Sequence, residues 1–439
     1  MRRTPDSCTL EGGALLGAGR ALRNALVRKA CLCARRGGPG ARVCAASLLA
    51  CVLFAALRRA ADARLHHCPA APDAASIAAI EAEDPPDAKV SVADATPNFL
   101  LIWSTPASSF GLVPRRCLES VFYHHPRAAV TLYSNHLSPP AAADAPPVLR
   151  DLFARGYDVR VRPYNLSALL AGTPAAPWLA RLSEWRRGPY FYSHVTDALR
   201  LALLFRHGGV YLDSDVILVR PLRLAGVAET LRLPPPLGSP YSDLKDALGV
   251  ESYDAPPPTS LFGSPSAQES SVADDDTDGV RAAPAGRLPM LNGAVLVFSA
   301  RHSRFLWAAM AEFAASYDPK RWGWNGPELL TRVALTRCAG PGGAPVQVHP
   351  PDAFYPIYWR GLERLASAPG GEDGEEQRRA WRRISRRSYA AHLWNRKTAG
   401  LALKEGSLLH RLLHTWTVLP AEGVAGRGVG ERSNASLAW

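Results

Sequence analysis

Between residues 191 and 222 the chain reads FYSHVTDALRLALLFRHGGVYLDSDVILVRPL, an order of signals that few folds accommodate. From about Ser193 to Phe205 the apolar residues Val195, Leu199, Ala202, Leu203 and Phe205 recur near helical spacing. Asp197 and Arg200 stand three residues apart and share one face of that helix. Gly208 and Gly209 stop it, because glycine accepts a positive φ without steric cost. Val210-Tyr211-Leu212 then opens a strand that runs into Asp213-Ser214-Asp215 before an apolar run resumes at Val216.

Two carboxylates one residue apart at the C-terminal edge of a strand make a hard-oxygen site, suited to Mn²⁺ or Mg²⁺ and to the diphosphate such an ion bridges. Spacing alone is a weak signal, and Asp276-Thr277-Asp278 repeats it with no strand before it; that second triplet receives no function. Context distinguishes the first.

Flanking periodicity indicates an α/β fold with a mixed, mainly parallel sheet and helices on both faces. Phe99-Leu100-Leu101-Ile102-Trp103, residues 129–133 and residues 157–161 read as strands, separated by helices at 115–124 and around 151–155. Ligands in such sheets sit beyond the strands' carboxyl ends, where Asp213 and Asp215 fall. Residues 232–287, with Pro runs and Asp274-Asp275-Asp276, carry too few apolar side chains to offset ordering entropy and read as a disordered insertion. Order resumes at residues 291–298, a turn entering a strand, and an amphipathic helix follows from Arg304 to about Tyr317. Pro327 marks a further helix start, Phe354-Tyr355-Pro356 reads as a strand end, and residues 366–377 read as a Gly/Glu loop. The globular part therefore spans 96–419, with a tail at 420–439.

The net charge of +12 invites a nucleic-acid partner until its distribution is counted. Residues 1–42 hold nine Arg/Lys against Asp6 and Glu11, or +7, so no basic groove is required elsewhere and no nucleic acid is expected. Residues 43–57 are uncharged, and the stretch 43–60 reads as a single transmembrane signal anchor with its cationic side cytosolic; a cleaved signal peptide and a buried helix are the alternatives. Residues 61–95, rich in Ala, Pro and Asp, read as a flexible stem. Three cysteines follow the span, Cys68, Cys117 and Cys338, enough for one bridge whose pairing spacing does not decide. With that topology Asn165-Leu166-Ser167 and Asn434-Ala435-Ser436 are glycosylation sequons.

Other residues have chemistry to offer. Glu328, beside Pro327 at a helix start, suits either dipole complementation or a catalytic or acceptor-binding role. Trp322 and Trp324, next to glycines and Asn325, suit either a platform for a sugar ring or core packing. In Tyr389-Ala390-Ala391-His392-Leu393-Trp394-Asn395 a strand alternation puts His392 and Trp394 on one face, so His392 is either structural or a metal or diphosphate ligand, with Asn395 next as an oxygen donor.

Ser193-x-x-x-Asp197-x-x-Arg200, then Gly208-Gly-Val-Tyr-Leu-Asp-Ser-Asp215, Leu291-Asn-Gly-Ala294, Asn325-Gly-Pro-Glu-Leu-Leu-Thr-Arg-Val333 and His392-Leu-Trp-Asn395 together resemble the α-1,4-glycosyltransferase family from about residue 98 to residue 413. The resemblance implies a GT-A-like fold, a UDP-sugar donor, a glycan or glycolipid acceptor, a Mn²⁺ or Mg²⁺ requirement, retention of anomeric configuration, and a type II protein of the Golgi membrane with its catalytic part luminal. It implies that Asp215 coordinates the metal and that Asp213 contacts metal, ribose or sugar. It places Asp197, Arg200, Tyr211, Asn292 and Gly293 on the donor side, and Trp322, Trp324 and Asn325 toward the acceptor. Glu328 stands where galactosyltransferase relatives have Gln, which leaves donor and acceptor open. A phosphatase that ends a strand in Asp-x-Asp is the rival from another class, and an inactive scaffold member of the same family is the other.

Overall fold

A computed structural model of the chain describes residues 71–82, 98–222, 247–255, 288–334 and 346–420. Residues 43–60 lie outside these, and among the described residues no helix is long and apolar enough to cross a membrane.

Chain order through the longer elements begins with α1 (Ala74–Ala82), β1 (Asn98–Ile102), α2 (Leu112–His124), β2 (Ala129–Tyr133), α3 (Pro147–Ala154) and β3 (Asp158–Arg162). It continues with α4 (Phe191–His207), β4 (Gly209–Leu212), β5 (Val216–Leu218), β6 (Ala247–Ala255), β7 (Leu288–Phe298), α5 (Arg304–Ser316) and α6 (Pro327–Arg332). β8 (Gln347–His349), α7 (Gly371–Arg387), β9 (Ala390–His392) and α8 (Leu408–Thr415) complete it. Among the described residues seven strands form one mixed sheet in the order β3-β2-β1-β4-β7-β6-β8, and β5 pairs with β9 in a separate two-stranded sheet. The β1–β2, β2–β3 and β1–β4 pairs are parallel, whereas β7 runs antiparallel to both neighbours.

The expected two-sided burial holds along β1. Phe99 and Leu101 pack with Cys117, Leu118, Val121 and Phe122 of α2, while Leu100 and Ile102 join the cluster of Leu199, Leu203 and Phe205 of α4 and Phe305 and Phe313 of α5. A strand buried on both faces reads as an unbroken apolar run, and NFLLI is one. The chain winds outward from β1 to β3 and then returns through α4 to β4 on the other side of β1. The order therefore reverses between β1 and β4, and the crevice beyond their carboxyl ends is where such a sheet receives a ligand. Asp213 is the first residue past β4.

A third apolar cluster carries the small sheet. Ile217 and Val219 from the β5 side and Ala391 and Leu393 from the β9 side pack against Trp381 and Ile384 of α7 and Leu409, Leu412 and Leu413 of α8. The Asp213-Ser214-Asp215 turn thus joins the two sheets.

Several expectations need correction. Residues 354–356 do not close a strand: Pro351–Phe354 is one helical turn, begun by Pro351 with Asp352 in its first turn, after the short β8. A short buried apolar run does not separate helix from strand by periodicity. Residues 366–377 are no loop either, since α7 starts at Gly371 with Glu372 and Asp373 at its positive end and Arg386 and Arg387 at its negative end. The insertion 232–287 contains β6, whose Ala247 and Leu248 are fully buried between β7 and β8. The stem 61–95 contains α1, with Ile80 only 1% exposed. Cys117 is buried and unbridged among the described residues; Cys68, Cys338 and Asn434 lie outside them.

The turn from α4 to β4 needs its glycines. Gly209 has φ +100°, and a Cβ there would collide with the Asn98 carbonyl of β1. Gly209→Ala is expected to cost about 2–4 kcal/mol, strain and collision combined, read as a lowered denaturant midpoint with unchanged slope.

Candidate metal and sugar-nucleotide site

The backbone at the end of β4 is fixed before any side chain acts. The Asp213 N–H donates to the Ala294 carbonyl of β7 at 2.8 Å, and Val216 N–H returns to the Asp213 carbonyl at 3.1 Å. Asp215 is braced from the other sheet, its carbonyl accepting from Leu393 N–H at 2.9 Å. Pairing of Val216 with His392 in the β5–β9 ladder then sets the imidazole beside the carboxylate.

Each acid has its own partners. Tyr211, 1% exposed, donates its hydroxyl to Asp213 Oδ1 at 2.6 Å, and Arg200 Nη2 lies 3.4 Å from the same oxygen. Asp215 Oδ2 accepts from the Asn395 backbone N–H at 2.7 Å, and its Oδ1 lies 3.3 Å from His392 Nε2. Trp394 makes that amide contact possible by taking φ 53°, a left-handed conformation that turns the chain into the helical turn Asn395–Thr398. The indole is held in place, donating to the Ile357 carbonyl at 2.8 Å and lying 4.3 Å from the His392 ring. Burial pushes the Asp215 carboxyl up, yet His392 and the Asn395 amide outweigh it and hold the group below its ordinary value.

Asp213, Asp215 and His392 each offer one ligand atom, all within 4.8 Å of one another. Atoms bound to one divalent ion at about 2.0–2.6 Å stand no more than about 4–5 Å apart, so this set fits a hard cation, and the imidazole among carboxylates suits Mn²⁺. Asn395 gives its backbone amide to Asp215, because the Trp394 turn directs its N–H there.

Asp197 and Arg200 share one face of α4, as their spacing requires, with Arg200 Nη2 3.5 Å from Asp197 Oδ1. Arg200 also donates to the Gly293 carbonyl at 2.6 Å and stacks over the Tyr211 ring at 4.8 Å. A Cβ on Gly293 would lie 2.7 Å from Arg200 Nη1, and one on Gly326 would lie 2.7 Å from Asp197 Oδ1. Both glycines therefore give these side chains their room. Asn292 is buried and accepts from Ala294 N–H at 2.8 Å, which stiffens the stretch that braces Asp213.

The segment from Trp322 to Glu328 approaches from the other side through Gly326. Glu328 Oε2 accepts from Arg321 at 2.7 Å. Trp322 is half exposed, whereas Trp324 lies between the guanidinium groups of Arg321 and Arg332, 3.9 and 3.7 Å from its ring centre, and donates to the Ser316 carbonyl. Asn325 is 1% exposed and spends its amide on both backbone groups of Asp318 and on His194, so it shapes the loop from within. Tyr355 was not singled out from the sequence. Its hydroxyl accepts from Val295 N–H at 3.0 Å and donates to the Asn292 carbonyl at 3.3 Å, and its ring lies 5.9 Å from that of His392. Its only sequence signal is an aromatic in a short apolar run.

The family region described as "Glycosyltransferase sugar-binding region containing DXD motif" matches residues 114–233, and "Alpha 1,4-glycosyltransferase conserved region" matches residues 298–416. The two matched regions together make the chain similar to the α-1,4-glycosyltransferase family. It is 28% identical over 319 residues to an uncharacterized protein of Arabidopsis thaliana, covering 71% of this chain and 40% of that one. It is 28% identical over 296 residues to lactosylceramide 4-alpha-galactosyltransferase of Rattus norvegicus, covering 66% and 65%. Human alpha-1,4-N-acetylglucosaminyltransferase is 25% identical over 256 residues, covering 56% and 55%. The chain thus spans less than two thirds of the length of each.

Burial pushes the Asp197 carboxyl from 3.8 up to about 7, with Arg200 pulling it back and Asp213 adding to the rise. The unfolded chain gives up this proton near 3.8 while the folded chain keeps it to about 7, so the group's contribution to stability is full below 3.8 and is lost as pH rises through that window. With chelator present, the melting temperature of Asp197→Asn relative to wild type is expected to climb from about pH 4 to pH 7 and then level off. A pH-independent gap would contradict the raised carboxyl.

Proposed function

We propose that this protein transfers a hexose of the galactose or N-acetylglucosamine type from a UDP-sugar to a glycan or glycolipid acceptor with retention of configuration, in a GT-A-type arrangement. The observation that carries the reading is the convergence of Asp213, Asp215 and His392 within 4.8 Å at the end of β4, beside the Asp197–Arg200 pair. Family similarity supports transfer of a sugar, and the named relatives support the two hexose classes.

Asp213, Asp215 and His392 would hold Mn²⁺ or Mg²⁺, which supplies positive charge to the diphosphate as the anomeric bond breaks. Tyr211 and Arg200 fix one Asp213 oxygen and leave the second for the ion or the donor. Asp197, its carboxyl raised to about 7 by burial, can exchange a hydrogen bond with a sugar hydroxyl while Arg200 orients it. The acceptor enters on the side of Trp322 and Glu328, with Trp322 exposed enough to stack on a ring. We assign the chemistry to front-face displacement, in which the departing phosphate takes the acceptor proton. Glu328, ion-paired with Arg321, then serves acceptor placement rather than nucleophilic attack.

The location belongs to the same proposal. Residues 43–60 anchor the chain as a single span in the Golgi membrane, the +7 segment 1–42 stays cytosolic, and the catalytic part is luminal. Exposed Asn165 fits that side, since its Oδ1 caps the following helical turn through Ala168 N–H at 3.1 Å and leaves its amide nitrogen for a glycan.

The test combines metal binding and turnover. Calorimetric titration of the protein with Mn²⁺, and UDP release from a panel of UDP-sugars, are expected to fall together in Asp215→Asn, turnover by at least about 100-fold, with circular dichroism unchanged. Undiminished transfer in excess chelator would refute the metal assignment. A trapped glycosyl adduct on Glu328 would refute the front-face assignment.

A further inference from the structure

Helix α1 lies in the stretch that composition gives to a flexible connector, yet it is fastened to the body of the fold. Ile80 is 1% exposed and belongs to the apolar cluster of Leu170, Leu203, Leu204 and Phe205. Gly172, at φ +71°, makes the seat, since a Cβ there would lie 2.9 Å from Ile80 Cγ1. Asp73 caps the helix, its Oδ1 accepting from Ser76 N–H at 2.7 Å. Glu81 pairs with Arg301 at 3.3 Å at the other end.

Arg206 is the fastening. Its side chain is among the largest that are fully buried, and it donates to four backbone carbonyls: Ile80 at 2.8 Å, Ala168 at 2.9 Å, Leu169 at 3.0 Å and Ala171 at 3.3 Å. A buried guanidinium has given up its water and depends on the acceptors that replace it, so losing one is costly. One of the four comes from α1. Arg206 also sits in the last turn of α4, six residues after Arg200 and just before the Gly208-Gly209 turn into β4. The groups that hold α1 therefore also hold the end of the helix that presents Asp197 and Arg200.

We infer that residues 73–82 are a clasp that belongs to the folded catalytic body, seated on Arg206, Gly172 and Leu170, and that seating it fixes the C-terminal turn of α4. Residues 73–82 are then a structural part of the folded body rather than of a passive tether. Ile80→Asp places a carboxylate in an apolar seat and unseats the clasp, whereas Ile80→Leu keeps shape and polarity close to the original.

Hydrogen exchange read by mass spectrometry on the full chain in detergent tests this without any assay of turnover, and so stands apart from the proposed function. In wild type, amides of residues 77–82 are expected to exchange at least about 100-fold more slowly than an unstructured peptide. Ile80→Asp is expected to bring them to peptide rates, to speed exchange several-fold in residues 168–172 and 203–207, and to lower the melting temperature by several degrees; Ile80→Leu stays near wild type. Unprotected amides at 77–82 in wild type overturn the clasp. Freed amides at 77–82 in Ile80→Asp with unchanged exchange at 168–172 and 203–207 overturn its hold on α4. Should Ile80→Asp not fold, the wild-type measurement decides the first point and the milder Ile80→Ala the second.

Discussion

Two carboxylates within 4.8 Å of each other repel, at an effective dielectric constant of about 20, by upwards of about 3 kcal/mol, and the fold has to offset that before it can offer them to a cation. It does so by giving each acid a separate set of partners. Asp213 draws on Tyr211 and Arg200, from β4 and α4 of the large sheet's flank, while Asp215 draws on His392 and the Asn395 amide from the small sheet. The repulsion is thus spread over two substructures. Because the same turn carries the chain from one sheet to the other, the site also serves as the seam between them.

Environment then separates acids that sequence alone would treat alike. Asp215 is held below its usual range by an imidazole and an amide, so it stays an anion. Asp197, buried three residues from Arg200, rises to about 7 and retains a proton into the neutral range. Within one cleft the same side-chain chemistry is thus pushed in opposite directions by its surroundings. Missing atoms matter as much as present ones here. A methyl group on Gly293 or Gly326 would meet Arg200 or Asp197 at 2.7 Å, so side chains that read as one helical face keep their aim only because two positions remote in sequence, one in β7 and one before α6, have none.

What the sequence discloses follows the range of the forces involved. β1, β2, α4 and α5 are legible because periodicity and burial are local, and the β2 bounds at Ala129–Tyr133 coincide with the expected ones. His392 is legible as a face of an alternating strand. The backbone contact of Asn395 with Asp215 is not, because it depends on the positive φ of Trp394, which nothing in the residue type requires. The Leu362–Ala366 turn and α7 hide behind Gly370, Gly371 and a run of acids, although Gln377, Ala380, Trp381 and Ile384 recur at helical spacing. Helix α1 is hidden for another reason. AASIAAIEA carries almost no amphipathic contrast, and its order comes from Arg206, 126 residues away from the carbonyl it holds.

The scattering of the motifs along the chain follows from the topology. Reversal between β1 and β4 places the ligand crevice at the carboxyl end of β4, so the helix entering β4 must supply Asp197 and Arg200 and the turn leaving it must supply Asp213 and Asp215. Antiparallel pairing of Leu212 with Val295 then requires the Asn292-Gly293-Ala294 stretch of β7 to stand opposite Asp213, where its carbonyls take the Asp213 amide and the Arg200 guanidinium. Pairing of Val216 with His392 does the same for the last motif. Each motif is set by a register relative to one short strand, which is why their order can persist while the chain between β5 and β7 lengthens. An insertion there shifts no register, so long as β6 returns to pair with β7.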